Sequence, residues 1–304
     1  MSTDHGSTTG TDHRSPAGTD HTAALRSVRA WVLDVDGCLM RTARPGGAGG
    51  TPMPRAGDLV AALRRAGHAV VICTNASQRP PAEYAAHLRE QGIDVPDEDF
   101  VTAGSAAADH VAAHHPGARV LPVGDVGLAG PLAARGVEIA TPGGPLADVV
   151  VVGAASEYRT EVINAACLAV DAGAALYTTV DTPWFHGGVG RSVTVSATIA
   201  HAIGWAAATS PQVLGKPSAF LAETLLRRLP GPPGRVAVVG DASAEIRLAR
   251  AMGAVSTLVL SGAITPEKLA PLRGADRPDV VLDDVAALYD LLSESLPMTQ
   301  GAPS

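Results

Sequence analysis

An α/β fold built on a largely parallel sheet is predicted by three features of the chain. Apolar runs rich in β-branched residues alternate with alanine-rich amphipathic segments from residue 25 onward, the pattern of strands and crossover helices. With 304 residues and 46% hydrophobic content, the chain has enough apolar surface for a substantial core and enough length for two domains. A second group of strands interrupts the pattern midway, which implies an inserted domain.

Core strands are expected at 30–34, 68–74, 99–102, 235–239, 255–260 and 279–282. Helical patterns near 55–66, 81–91, 104–115, 217–228, 243–252 and 284–293 connect or follow them. The interrupting strands are "ARVLPVG" (118–124), "ADVVVVG" (147–153) and "AALYTTV" (174–180), with helices of their own. "TPGGP" (141–145) and "FHGGVG" (185–190) read as loops of the insert. The expected organisation is a core of 26–101 and 210–295 carrying an α/β insert of 102–209. Residues 1–25 and 296–304 flank it as a polar tail and a flexible C-terminus. The tail repeats Thr-Asp-His from Thr3, Thr11 and Thr19 and is too polar to bury a core, so disorder is expected there.

Composition excludes several classes of partner. A formal charge of −7 without a dense Lys/Arg run offers nothing to a nucleic-acid backbone. No stretch approaches the roughly 18 apolar residues of a membrane span, and the first 25 residues lack the apolar centre of a signal peptide. The expected address is the cytoplasm. Cys38, Cys73 and Cys167 are odd in number and widely spaced, which suits neither a disulfide framework nor a metal site, so free thiols are expected.

In open parallel sheets ligands bind beyond the carboxyl ends of the strands, so the residues that follow each core strand form the candidate site. "AWVLDVDG" delivers Asp34 and Asp36 just before Gly37, and "HAVVICTNAS" delivers Thr74 and Asn75. "QVLGKPS" brings Lys216 ahead of a helix, and "RVAVVGDASAEI" brings Asp241, with Glu245 one helical turn on. A Rossmann dehydrogenase is disfavoured, because no G-x-G-x-x-G follows the first strand.

This ordered set (Asp-x-Asp-Gly, apolar residues ending in Thr-Asn, Gly-Lys-Pro, then Gly-Asp with an acidic residue after it) resembles the haloacid dehalogenase superfamily of phosphatases. The long middle insert resembles that of the type IIA subclass, which includes the NagD-like, 4-nitrophenyl phosphate and phosphoglycolate phosphatases. The resemblance covers about residues 28–290. It implies a Rossmann-like core with a large α/β cap, and it is compatible with a homodimer formed through the cap.

The expected activity is Mg²⁺-dependent hydrolysis of a small phosphomonoester, such as a sugar phosphate, a nucleoside monophosphate or phosphoglycolate. Two other readings share the fold: a phosphotransferase or mutase, and a phosphate-ligand binding protein without turnover. A carboxylate nucleophile approaches an anionic ester only when a divalent cation neutralises both, and Mg²⁺ suits oxygen ligands. Asp34 and Asp241 supply carboxylates, while the family pattern adds the Asp36 main-chain carbonyl. Asp34 is then the nucleophile, and Asp36 protonates the leaving alcohol and later takes a proton from the attacking water. Thr74, Asn75 and Lys216 are expected at the phosphoryl oxygens. Gly37 lets the main chain approach the site closely.

Two places depart from the family. Where relatives show Asn-Pro-Asp after a cap strand, this chain reads "TTVDTPWFHGG", keeping Asp181 but not the two residues before it. Trp184, His186 and Arg191 follow on the same loop as candidate substrate contacts, against ordinary packing as the alternative. Relatives also place Asp after Gly-Asp where this chain has Glu245, which either touches a metal-bound water, pairs with Lys216, or simply starts a helix. Finally, "RTARPGGAGGTPMP" (41–54) is long and glycine-rich, either a flap beside the nucleophile or a surface insertion.

Overall fold

The structure, a computed structural model, describes residues 21–293 and contains two parallel sheets. The Thr-Asp-His repeat as far as Asp20 and segment 296–304 lie outside the described residues. Residues 21–25 depart from the expected tail and begin the helix His21–Arg26, whose Leu25 is buried in the core.

In chain order the strands are β1 (Ala30–Leu33), β2 (Met40–Arg41), β3 (Thr51–Pro52), β4 (Ala69–Thr74), β5 (Phe100–Thr102), β6 (Arg119–Val123), β7 (Glu138–Ile139), β8 (Val149–Val152), β9 (Ala175–Thr178), β10 (Trp184–His186), β11 (Arg191–Val193), β12 (Gln212–Val213), β13 (Val236–Gly240), β14 (Val255–Val259) and β15 (Val280–Leu282). The larger sheet has the order β15-β14-β13-β1-β4-β5, all parallel. From β1 the chain steps through β4 to β5 on one side. After the insert it restarts at β13, beside β1, and steps outward on the other side. The order therefore reverses at β1 and β13, where a parallel sheet opens a crevice at its carboxyl edge.

Helices cover both faces of this sheet, which is why its strands read as continuous apolar runs. Trp31, Leu33 and Ile72 point to one face with the helices Ala56–Arg65, Pro81–Glu90 and Val285–Ser293. Val32, Val71 and Val238 point to the other with Ala219–Arg228 and Ser243–Met252. Trp31 is fully buried yet satisfied, its indole N–H donating to His68 Nδ1 at 2.9 Å.

The insert forms the second sheet, ordered β12-β9-β8-β6-β7 and again parallel. Thr160–Asp171 and Val195–Ala206 cover one face, and Ala103–His114 and Val126–Ala134 the other. Ala103–His114 serves both halves: Ala106 packs in the core, and Ala107, Ala108 and Val111 pack under the second sheet. This sheet runs past the expected boundary at 209, because Gln212–Val213 pairs with β9 as its edge strand. "FHGGVG" is likewise more than a loop: β10 and β11 pair antiparallel around it, with Phe185 opposite Ser192. No helix among the described residues is long and apolar enough to cross a membrane.

Candidate active site

β1 ends at Leu33, so Asp34 emerges at the carboxyl edge of the sheet, where its N–H still donates to the Val239 carbonyl at 2.9 Å. Asp241 emerges beside it, directly after β13. Lys216 reaches the same point from the segment that returns from the insert. Its Nζ donates to Asp34 Oδ1, lies 2.8 Å from Glu245 Oε1, and donates to the Cys73 carbonyl at 3.2 Å. All four side chains are buried. Glu245 combines two of its expected roles, since its other oxygen accepts from the Ala242 N–H at 3.1 Å and so caps the helix Ser243–Met252.

Three carboxylates share one ammonium here, and the imbalance shapes every charge. Burial pushes Asp34 up to about 7, with Glu245 and Asp36 adding repulsion and Lys216 opposing it. Asp241 is held well above the carboxylate range by burial, and next by Asp34 and Glu245. Burial alone pulls Lys216 down, but Asp34 and Glu245 together outweigh it and hold the ammonium protonated. The cluster is therefore short of positive charge, which a bound cation would supply.

The donor chemistry fits Mg²⁺. Its protein ligands would be oxygen alone, and the main chain packs closely around Asp241: Oδ2 accepts from the Ala263 N–H at 2.6 Å, and a Cβ on Gly37 or on Gly262 would fall 2.4 or 1.9 Å from it. Gly37 also adopts φ +82°, which only glycine takes without strain. No three His, Cys, Asp or Glu side chains converge into a cage among the described residues. Mg²⁺ is usually held by one or two carboxylates, with water and phosphate completing its shell.

Asp36 is placed differently from Asp34. Its carboxylate accepts from the Gly46 N–H at 2.9 Å, the Gly47 N–H at 2.8 Å and the Thr74 hydroxyl at 3.2 Å. Those bonds turn it toward the 41–54 flap, so within the expected metal set only its main-chain carbonyl remains to be offered. Thr74 also accepts from the Ala76 N–H at 3.1 Å. Asn75 holds Lys216 by a two-way pair, with Oδ1 accepting from the Lys216 N–H at 2.8 Å and Nδ2 donating to its carbonyl at 3.2 Å. The side chains of Thr74 and Asn75, expected at phosphate, thus also orient Asp36 and Lys216, and Asn75 lines the cavity over them.

A cavity of about 290 Å³ lies over the cluster, with Asp34, Lys216 and Asp241 in its floor. Trp184 and His186 line it. Asp181 and Arg191 are not among the lining residues: Asp181 pairs with His201 at 2.6 Å, and the exposed Arg191 stacks 4.2 Å over the Trp184 ring. The wall also contains Ala154, Tyr158, Val180, Thr182 and Ser196, which the sequence reading passed over. Several follow β8 and β9, so applying the strand-end rule to the second sheet would have found them. Cys38 and Cys73 are buried thiols, and burial raises both, Cys73 to about 12, which leaves neither as a nucleophile.

A model of haloacid dehalogenase-like hydrolases matches residues 31–138, and a related HAD-hydrolase-like model matches residues 213–288. Between them these stretches contain β4 and β5 on one side and β13, β14 and β15 on the other. The chain belongs to the haloacid dehalogenase-like hydrolases.

Within the family, phosphatases are among its relatives. An acid sugar phosphatase of Staphylococcus saprophyticus is 26% identical over 220 residues, covering 71% of this chain and 80% of the relative. The structure of 4-nitrophenylphosphatase from Thermotoga maritima superposes with a TM-score of 0.78 at 26% identity, over 88% of this chain and 98% of that one. A glycerol phosphate phosphatase from Mycobacterium tuberculosis, solved in complex with magnesium, gives 0.76 at 28% identity, over 87% of this chain and 77% of that one. NagD from Escherichia coli shares the fold, with a TM-score of 0.73. The six-stranded core and five-stranded inserted cap are the architecture of this NagD and 4-nitrophenylphosphatase branch, and the protein is a HAD phosphatase.

Proposed function

We propose that this HAD phosphatase hydrolyses small phosphomonoesters with uncharged leaving groups, through an aspartyl-phosphate on Asp34. The observation that carries the reading is the buried cluster of Asp34, Asp241, Glu245 and Lys216 in the floor of a cavity whose cap-side wall, among the described residues, carries no Lys or Arg.

The Asp34 carboxylate attacks phosphorus as the ester bond to the leaving oxygen breaks. Asp34, Asp241 and the Asp36 main-chain carbonyl would hold Mg²⁺, which when bound would supply the positive charge that lets two anions meet. Lys216, clamped by Asn75, stabilises charge on the phosphoryl oxygens. Asp36 gives the leaving alcohol its proton, then takes one from the water that cleaves the aspartyl-phosphate and restores Asp34.

The leaving group reads a different surface. Tyr158, Trp184, Phe185 and Val193 give the wall its apolar and aromatic character, and Thr182, Ser192, Thr194 and Ser196 add hydroxyls. Lys216, already paired with Asp34 and Glu245, is the one Lys or Arg in the lining among the described residues. A carboxylate on the leaving group would therefore meet buried anions without a countercharge. The volume is also near the lower end of small-molecule pockets, which favours a sugar or aryl group over a nucleoside.

With Mg²⁺ present, phosphate release from glycerol 3-phosphate is expected at a kcat/KM at least about tenfold above that from 2-phosphoglycolate, equivalent to about 1.4 kcal/mol of discrimination. Equal or inverted values would overturn the uncharged-leaving-group reading. No phosphate release from any ester in a panel including 4-nitrophenyl phosphate would overturn the hydrolase reading itself.

A further inference from the structure

Asp36 does not fix its own orientation. The Gly46 and Gly47 N–H groups that hold it belong to the loop between β2 and β3, where both residues are left-handed, at φ +76° and +77°. That backbone turns successive N–H groups onto one carboxylate. A side chain is not tolerated there, since a Cβ on Gly46 would lie 2.2 Å from the Tyr84 ring.

The loop is organised by Thr42. Its side chain is buried, and its hydroxyl bonds to the Arg44 carbonyl at 2.9 Å and the Ala48 carbonyl at 3.2 Å while accepting from the Arg44 N–H at 3.0 Å. These contacts bracket Gly46 and Gly47. On the far side, His87 Nε2 lies 3.1 Å from the Gly47 carbonyl.

Thr42 also touches the cap. Its main-chain N–H donates to the Gly187 carbonyl at 2.7 Å, in the turn between β10 and β11. The approach is close, because a Cβ on Gly187 would fall 2.3 Å from the Thr42 carbonyl oxygen. The same hairpin presents Trp184, Phe185 and His186 to the cavity. Hydrogen bonds therefore run without a break from the hairpin beside the leaving group, through Thr42, to the loop that holds Asp36.

We propose that Thr42 is a positioning residue that couples the seating of the cap hairpin to the orientation of Asp36. With the hairpin down, the Thr42 N–H is paired and its hydroxyl sets the glycine loop. With the hairpin lifted, that N–H loses its partner and the loop loses its anchor on the cap side. Asp36 is thus aligned when the cap encloses a leaving group. The inference rests on the reading of Asp36 as the general acid.

The test compares kcat/KM for benzyl phosphate, whose alkoxide needs a proton, with that for 4-nitrophenyl phosphate, whose phenolate needs little help, both with Mg²⁺. This parameter reports steps up to departure of the leaving group, so the later hydrolysis does not enter. Thr42→Val keeps the size and the main-chain N–H but removes the hydroxyl. Benzyl phosphate is expected to lose about 10–100-fold and 4-nitrophenyl phosphate less than about 3-fold, within the range of general-acid effects. Thr42→Ser should restore the benzyl rate, and Gly187→Ala should reproduce the selective loss from the cap side. Equal losses on the two esters, or none, would overturn the coupling, since a purely structural defect lowers both.

Asp36→Asn separates this failure from that of the underlying reading. If Asp36→Asn is itself unselective, Asp36 is not the acid. If it is selective while Thr42→Val is not, only the role of Thr42 fails. In the Asp36→Asn background, Thr42→Val should add nothing further, and an additive loss would place its effect elsewhere.

Discussion

Asp34→Asn is expected to lower phosphatase turnover by on the order of 10⁴-fold or more, the scale seen when a covalent nucleophile is removed. The fold should survive. Asp34 lies among buried acidic groups, and burial together with Glu245 and Asp36 already disfavours its ionised form. An uncharged amide of the same shape relieves that repulsion, while Lys216 keeps Glu245 as its partner at 2.8 Å. Folding free energy should therefore fall by no more than about 1 kcal/mol, in line with substitutions that create neither a cavity nor an unpaired charge. Two measurements check this together: phosphate release from 4-nitrophenyl phosphate, and a urea unfolding midpoint. Acid-stable covalent phosphate, trapped on the wild-type protein by rapid quenching, should be absent from the variant. Near wild-type turnover in Asp34→Asn would remove Asp34 as nucleophile. Lost activity accompanied by a collapsed midpoint would show instead that the side chain is structural.

The core was legible in the sequence because its strands are buried on both faces and end in polar residues. "AWVLDVDG" announces both a strand and the place where it stops, and β1 ends within one residue of that expectation. The convergence of Asp34, Asp241 and Lys216 was legible for the same reason: strand ends of a parallel sheet share one edge. The work of Asn75 was not. Its carboxamide clamps a main chain 141 residues away, and such pairing leaves no periodicity or local spacing to read. β12 escaped because a two-residue edge strand has no pattern, and its pairing with β9 depends on the folded insert. The 41–54 flap announced itself by its glycines, but their purpose needs the Asp36 carboxylate in view. Asp181 has a partner that the sequence does not announce: family position suggested a substrate contact, and in three dimensions its carboxylate lies 2.6 Å from His201.

Lys216→Met is expected to cost about 3–5 kcal/mol of stability as well as activity, because it removes one member of a buried ionic cluster and leaves the others unpaired. Lys216 is 3% exposed and stands between Asp34 and Glu245, so water does not replace the missing ammonium. Methionine fills nearly the same volume, which separates the electrostatic loss from a cavity. The penalty should come from the stranded carboxylates rather than from a lost contact as such. Adding Glu245→Gln to Lys216→Met should therefore restore part of the stability, giving a coupling of about 1–3 kcal/mol between neighbours that share one network. In the wild-type background Glu245→Gln should be mildly destabilising, since it weakens the pairing with Lys216 and the cap on the Ala242 N–H. Urea denaturation of all four proteins in the absence of divalent metal closes this cycle. Activity should fall in Lys216→Met and stay low in the double variant, because no ammonium then faces the phosphoryl oxygens. Strictly additive stability changes would mean that Lys216 and Glu245 do not balance one another. An unchanged midpoint for Lys216→Met alone would mean that the carboxylates at this edge do not need their ammonium.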